Sequence, residues 1–359
     1  MENKRTCLYD KHVAQGALIA PFGGFDMPIQ YTNIVDEHQA VRQACGVFDV
    51  SHMGEVLVSG TDAERFVNHV FTNDVRNMAD GKILYGMMCY DNGGVVDDLL
   101  VYKMAGGRFF LVINAANIDK DWAWLQQQAD GFDITLDHQS DQYGELAIQG
   151  PEAEHVMEQV LGLKCQELTF YTFKQLGDVI VSRTGYTGED GFEVYASPDY
   201  INTCWDRLME AGVKPCGLGC RDTLRFEVGL PLYGDELSAD ITPIMAGLGI
   251  FVKLDKDEFI GREALARQKA EGPQQKLVGI ELRDKAIPRH GYTVLKDGQP
   301  IGLVTTGYHT ISTDKSVCMA LIDARHAALG TDVEVQIRKR TFPGVVCKKR
   351  FYDKHYKKQ

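Results

Sequence analysis

The run Gly93-Gly94-Val95-Val96-Asp97-Asp98-Leu99-Leu100-Val101-Tyr102-Lys103 constrains the fold more than any other part of the sequence. Its β-branched and aliphatic residues read as an interior strand, yet two acids stand inside it. Burying a carboxylate without a partner is costly, so each acid needs a partner or a task. Strand geometry also separates the two: Asp98, Leu100 and Tyr102 share one face, and Asp97, Leu99 and Val101 share the other. One acid can face a ligand beside a tyrosine while its neighbour looks elsewhere. A strand-end acid paired with a nearby arginine would satisfy the same pattern.

The 359 residues, 44% hydrophobic and 25% charged, suffice for two or three domains of ordinary globular kind. A formal charge of −12 argues against nucleic acid as the main partner. No apolar run reaches the roughly 18 residues of a membrane helix. The start, Met1-Glu2-Asn3-Lys4-Arg5, lacks a signal peptide's apolar segment. The expectation is a cytoplasmic protein without membrane contact. The nine cysteines are scattered and odd in number, which suits reduced thiols. Cys216 and Cys220 have no second Cys/His pair nearby to complete a zinc site.

The character of the chain changes near Glu271-Gly272-Pro273. Before it, helix signals alternate irregularly with strands. Thr61-Asp62-Ala63-Glu64 reads as a capping box, Pro151 and Ser197-Pro198 as helix starts, and Asn117 as a cap. A further helix between Gly219 and Gly229 puts Arg221 and Arg225 on one face. Strands are predicted at residues 55–58, 95–102, 109–113, 145–148, 179–182 and 192–195. This mixture is α+β, and no G-x-G-x-x-G follows a strand. After the change, strands dominate, with a hairpin turn at Asp297-Gly298, and residues 275–359 read as a small β-barrel or sandwich.

Three more segments are chemically suggestive. Ser51-His52-Met53-Gly54 joins an apolar patch to a polar pair, with His52 better suited to structural hydrogen bonding than to a catalytic triad. Arg183-Thr184-Gly185-Tyr186-Thr187-Gly188-Glu189-Asp190-Gly191-Phe192-Glu193 carries three glycines that allow close approach to a ligand, or simply a tight hairpin. In Arg221-Asp222-Thr223-Leu224-Arg225-Phe226-Glu227, a helical arginine is either paired with an acid or aimed at an anionic or carbonyl group of a ligand. The stretch from 338 to 358 carries nine Lys/Arg (338, 339, 340, 348, 349, 350, 354, 357 and 358) against one acid, Asp353. It reads as a frayed solvated terminus or as an attraction site for an acidic partner.

Taken in order, S-H-M-G, G-G-V-V-D-D-L-L-V-Y, V-I-N-A-A-N, R-T-G-Y-T-G-E-D-G-F-E and R-D-T-L-R-F-E-x-G-L-P-L-Y-G resemble the T-protein, or aminomethyltransferase, family of the glycine cleavage system. The resemblance runs from about Leu8 to the C-terminal region. It implies a three-lobed α+β fold: a lobe of roughly 1–52 with 140–270, an inserted lobe of 53–139, and the C-terminal β-barrel, with folate in the central opening. The implied reaction transfers the one-carbon unit of an aminomethyl group on the lipoyl arm of H-protein to tetrahydrofolate, using neither metal nor flavin. The implied partners are lipoylated H-protein, with P-protein and L-protein in the same system.

Carried over by motif, the essential acid is Asp98, and folate contacts fall on Tyr85, Tyr102, Tyr186, Glu193 and Arg225, with Asn114 and Met53 lining the cavity. For a C-terminal tyrosine that approaches the ligand, Tyr352 and Tyr356 compete, with Tyr356 preferred. Other folate-binding branches fit less well. The folate domain of sarcosine or dimethylglycine dehydrogenases accompanies a flavin domain. The iron–sulfur-assembly branch carries K-G-C-Y-x-G-Q-E, where this chain reads Gly229-Leu230-Pro231-Leu232-Tyr233-Gly234-Asp235-Glu236. A pure folate-binding protein would make Asp98 dispensable.

Overall fold

The computed structural model describes residues 2–357. Two mixed-content sheets face one another, and a closed barrel stands beside them. The six-stranded sheet runs in the order Phe173–Leu176, Val179–Ser182, Gly191–Ala196, Gly144–Gln149, Gly46–Asp49, Lys214–Pro215. The five-stranded sheet runs Ile83–Cys89, Val95–Lys103, Phe109–Ile113, Gly54–Ser59, Thr135–His138. A small three-stranded sheet of Lys4–Arg5, Phe25–Gln30 and Leu18–Phe22 completes the N-terminal part.

Period-2 alternation decides what each face touches. In the six-stranded sheet, Val47, Leu146, Ile148 and Val194 pack with Trp205 and Leu208 of the helix Pro198–Glu210. Their strand neighbours Phe48 and Ala147 turn to Leu224 of the helix Leu218–Glu227. In the five-stranded sheet, Leu99, Val101, Phe109 and Leu111 pack against Phe66 and Leu125 of the helices Ala63–Val70 and Ile118–Gln128. The opposite face sends Ile83, Tyr102, Phe110 and Val112 against Phe173, Ile180 and Tyr195 of the other sheet. The face of Asp98, Leu100 and Tyr102 is thus the face between the sheets, and the face of Asp97 is the helix side.

The barrel closes in the order Gln275–Leu282, Ser316–Asp323, Gln299–His309, Thr293–Lys296, Asp332–Ile337, Arg340–Cys347. Its hairpin turn has positive φ at both Asp297 (51°) and Gly298 (75°), the conformation that D-G turns supply. Phe226 of the helix Leu218–Glu227 packs against Leu277, Val317 and Met319 of the barrel. The C-terminal stretch is anchored, not frayed: the Phe351 and Tyr352 amides donate to Glu227 O, the His355 amide to Gly188 O, and the Phe170 amide to Lys357 O.

Two helix starts differ from expectation. Ser197 does cap its helix, accepting from the Tyr200 amide. Thr61 does not, because its hydroxyl donates to Asp133 Oδ2 at 2.6 Å across the lobe. Asn117 makes no cap because its carboxamide is committed to Asp97.

Gly94 opens the strand of the two acids where the chain passes another backbone. A Cβ there would lie 1.8 Å from Ala239 O. Gly94→Ala is expected to cost about 1–3 kcal/mol of stability by overpacking. A urea midpoint equal to the native protein's would contradict this.

Candidate active site

Several parts of the chain converge at the gap between the two sheets. Antiparallel register sets the first contacts. Tyr85 pairs with Leu100, so its ring stands diagonal to Asp98 on the same face, and its hydroxyl donates to Asp98 Oδ2 at 2.9 Å. On the other side Leu100 pairs with Val112. Two residues along that ladder, just past Ile113, Asn114 comes opposite Asp98. Its Nδ2 donates to Asp98 Oδ1 and to Asp98 O, both at 3.0 Å, and to Asp97 Oδ1 at 2.8 Å. Burial, with the Asp97 charge second, raises the Asp98 carboxyl to about 7. A carboxyl poised near neutrality in a partly exposed position can bind or exchange a proton.

Asp97 lies fully buried on the helix side. It accepts from the Asn114 amide at 2.9 Å, Asn114 Nδ2 and Asn117 Nδ2 at 2.6 Å. The sequence places the two acids on opposite faces, and so they are, yet Asn114 bridges them.

The glycine-bearing loop between Val179–Ser182 and Gly191–Ala196 supplies the facing wall. Glu193 is buried, accepts from Thr184 Oγ1 at 2.5 Å, and its carboxyl is raised by burial. Tyr186 lies partly exposed beneath Arg221, whose guanidinium carbon is 4.7 Å from the ring centroid. Tyr186 also donates to Pro231 O. Met53 sits partly buried between the cluster of Tyr102, Phe110 and Tyr195 and that of Phe48, Val50 and Leu224. Tyr356 stacks on Phe170 at 4.1 Å and 10°, and Phe170 stacks on Tyr171 at 4.2 Å and 17°. Tyr352 instead lies against Arg42, whose guanidinium carbon is 4.3 Å from the ring centroid.

Two expected contact residues are held away from the opening. Tyr102 has no exposed surface, and its hydroxyl is bonded to Ser182 Oγ at 3.1 Å and Tyr195 OH at 3.0 Å. It lies deeper on the Asp98 face and is linked to Glu193 through Ser182 and Thr184, which are 2.7 Å apart. Arg225 is likewise fully buried. It donates to Asp222 Oδ1 at 2.7 Å, Glu236 Oε2 at 2.8 Å, Leu230 O at 3.1 Å and Thr306 Oγ1 at 3.2 Å. Its donors are spent on tying the helix to the barrel and to the segment after it.

One turn earlier, Arg221 has the opposite character. Its Nη1 is buried with no hydrogen-bond partner among the described residues. Its charge reaches Glu193, Glu145 and Tyr186, and it helps burial lower the neighbouring His52 to about 4. A buried guanidinium nitrogen without a partner, on a side chain lying over the Tyr186 ring, suits an oxygen-bearing ligand. Spacing alone could not rank the two arginines, since they share a helix face. The deciding partner, Glu236, comes eleven residues after Arg225.

Tyr171 gave no sequence signal. It adopts φ 64°, uncommon for a bulky residue. The Tyr171 amide bonds to Arg183 O, and Tyr171 O accepts from the Ile83 amide. Burial raises its hydroxyl, with Tyr356, Glu193 and Asp98 contributing.

Among the described residues no group of three His, Cys, Asp or Glu is placed to hold a metal ion. No helix among them is long and apolar enough to cross a membrane.

The family model for the GCVT N-terminal domain matches residues 8–256, and that for the glycine cleavage T-protein C-terminal barrel domain matches residues 275–353. An aminomethyltransferase of Lysinibacillus sphaericus is 49% identical over 360 residues, covering 98% of each chain. One of Caldanaerobacter subterraneus subsp. tengcongensis is 48% identical, covering 99% of this chain and 97% of the relative. The crystal structure of glycine cleavage system aminomethyltransferase T from Bartonella henselae matches with a TM-score of 0.95 at 32% identity, covering 99% of each chain.

The two arginines should separate in a stability measurement. Arg225→Ala is expected to cost about 3–5 kcal/mol, because Glu236 is left buried without its counter-charge. Arg221→Ala is expected to stay within about 1 kcal/mol of the native protein. Urea unfolding checks this, and the reverse order would contradict it.

Proposed function

The chain belongs to the glycine cleavage T-protein, or aminomethyltransferase, family, and from that premise we propose how its residues carry out the reaction. It is a tetrahydrofolate-dependent aminomethyltransferase of the glycine cleavage system. The family reaction moves the one-carbon unit from the aminomethyl group on H-protein's lipoyl arm to tetrahydrofolate. It gives 5,10-methylenetetrahydrofolate, ammonia and dihydrolipoyl-H-protein. The finer reading is that the protein works in the cytoplasm, with lipoylated H-protein as its macromolecular substrate and P-protein and L-protein in the same system, and with neither flavin nor metal. The lobes are read as 1–52 with 140–270, 53–139 and 275–359, following the strands of the two sheets and the barrel.

The observation that carries the mechanism is Asp98, clamped by Tyr85 and Asn114 in the gap between the sheets. Folate amine nitrogens form two bonds to the transferred carbon while its bonds to nitrogen and sulfur break. Of the two N–H protons released, one goes to the leaving ammonia and one to the lipoyl sulfur. Asp98 accepts a hydrogen bond from a folate N–H, orients that nitrogen, and offsets positive charge developing on the carbon. Its near-neutral carboxyl also suits it to take the proton and pass it on. Glu193 accepts forked hydrogen bonds from the amino-pyrimidinone edge. Tyr85, Tyr171, Tyr186 and Tyr356 supply ring faces and hydroxyls, with Met53 as apolar floor. Arg221 donates to a folate oxygen, the role that the family resemblance implied for Arg225. Tyr102 and Arg225 serve as supports, the first behind Glu193 and the second beneath the helix that carries Arg221.

The experiment is formation of 5,10-methylenetetrahydrofolate from aminomethyl-loaded H-protein and tetrahydrofolate. The native protein should turn over, and Asp98→Asn should lose about 10²–10⁴-fold in kcat while still binding folate. Full turnover by Asp98→Asn would overturn the assignment.

Electrostatic docking of H-protein needs a narrower surface than the basic terminus as a whole. Lys349 is tied to Ala246 O, Lys357 to Glu154 and Arg350 to Asp353. At the barrel, Arg338, Lys339 and Arg340 sit with Lys285 and Arg289 around a groove of about 720 Å³ that also holds Ile287, Tyr292 and Phe342. This cluster on an acidic protein is the reading we favour for an acidic carrier. Added salt should then slow association, and Lys339→Glu should reduce that salt dependence. An association rate indifferent to salt would contradict it.

A further inference from the structure

We propose that Asp97 is a positioning residue for the transfer: from the opposite face of the strand it fixes Asp98 through the shared Asn114 carboxamide. The inference rests on the reading of Asp98 given above and extends it to a residue that touches no substrate.

The argument begins with donors and acceptors. Asp97 is surrounded by N–H groups: the Asn114 amide on Oδ2, and the Asn114 and Asn117 carboxamides on Oδ1. A carboxylate, which only accepts, satisfies all three. Asn114 Nδ2 then has its hydrogens directed at Asp97 Oδ1, Asp98 Oδ1 and Asp98 O. Every partner of that nitrogen is an acceptor, so the carboxamide cannot flip without facing oxygen with oxygen. Asp97 therefore locks Asn114, and Asn114 locks Asp98.

A second buried acid stands behind. Asp121, on the first turn of the helix Ile118–Gln128, is fully buried, and neither of its oxygens has a hydrogen-bond partner among the described residues. Burial, with the Asp97 charge second, pushes its carboxyl up to about 11. Lys120 Nζ lies 3.6 Å from Asp121 Oδ1 but is held by Val96 O and the Tyr233 hydroxyl. Asp121 is thus pushed toward its protonated form, while Asp97 is the acid of this pair that N–H donors enclose. Among the described residues, the partners of Asp97 are two asparagines and no arginine. Asp97 accepts its hydrogen bonds from uncharged amide groups, and its charge acts on Asp98.

The groups facing Asp98 are then few: Asp97 on its own strand, Tyr85 from the neighbouring strand, Asn114 from the turn beyond Ile113, and Tyr171 and Tyr186 from the opposite wall. Around Asp97 stand Asn114, Asn117, Asp121, Lys120 and Tyr233. Asp97 contributes the charge that opposes ionisation of Asp98, and Asn114 contributes a donor that favours it.

The two contributions have opposite signs, which gives the test. The pH profile of kcat/KM reports groups in the free enzyme. In the native protein the acid limb should fall where Asp98 ionises. Asp97→Asn removes the adjacent charge and should move that limb to lower pH by about one unit. Asn114→Ala removes a donor to the carboxylate and should move it to higher pH, with kcat reduced more than KM is raised. Opposite displacements in folded variants support the proposal. An unmoved limb in either folded variant, or displacement of both in the same direction, overturns it. If Asp97→Asn fails to fold, the limb of Asn114→Ala decides. Asp98→Asn in the same assay separates the two levels: loss of turnover there with unmoved limbs in the others ends this proposal alone, whereas retained turnover ends the reading of Asp98 itself.

Discussion

Two carboxylates on consecutive residues of a strand cannot move apart, because the backbone fixes both, and strand geometry can only turn them to opposite faces. Asp97 and Asp98 answer this constraint asymmetrically. Asp97 faces the helix side and is enclosed by amide donors. Asp98 faces the gap between the sheets with two side-chain donors and partial exposure. Burial and the neighbouring charge together hold Asp98 near neutrality, a state that neither water nor a neutralising arginine would give it.

The gap between the sheets is graded along one strand face. At its deep end Tyr102 is sealed among Phe110, Phe173 and Tyr195. Leu100 follows with partial exposure, and Asp98 stands at the open end. The opposite wall has the same logic, with hydroxyls leading from Tyr102 through Ser182 and Thr184 to Glu193. Apolar packing between the sheets sets the spacing of the walls, and the polar groups that project beyond it form the site. The third side depends on Arg225, whose pairing with Glu236 and Thr306 joins the helix Leu218–Glu227 to the barrel. That joint leaves Arg221, one turn away, with a buried unpaired nitrogen.

Much of this was legible before the structure. The two-face split of Asp97 and Asp98, the D-G hairpin, and the strand-rich C-terminal part follow from local rules, and five ordered motifs carry the family. What escaped the sequence depends on contacts distant along the chain. Whether Arg221 or Arg225 is free is decided by Glu236 and Thr306. Asn117 looked like a helix cap because local spacing cannot show that Asp97 needs its carboxamide. Thr61 looked like a cap until Asp133 took its hydroxyl. The terminal basic run looked frayed because nothing local indicates that its amides bond to Glu227 and Gly188. Tyr171 was silent because a left-handed tyrosine has no sequence mark of its own.

The most direct test of the account is a carboxyl carbon NMR titration of the ligand-free protein with labelled aspartate, assigning Asp98 by the signal lost in Asp98→Asn. The account predicts a carboxyl that titrates near pH 7. A midpoint close to the ordinary aspartate value of about 4 would contradict it, because Asp98 would then be a plain surface carboxylate and the buried anion beside it would be without effect.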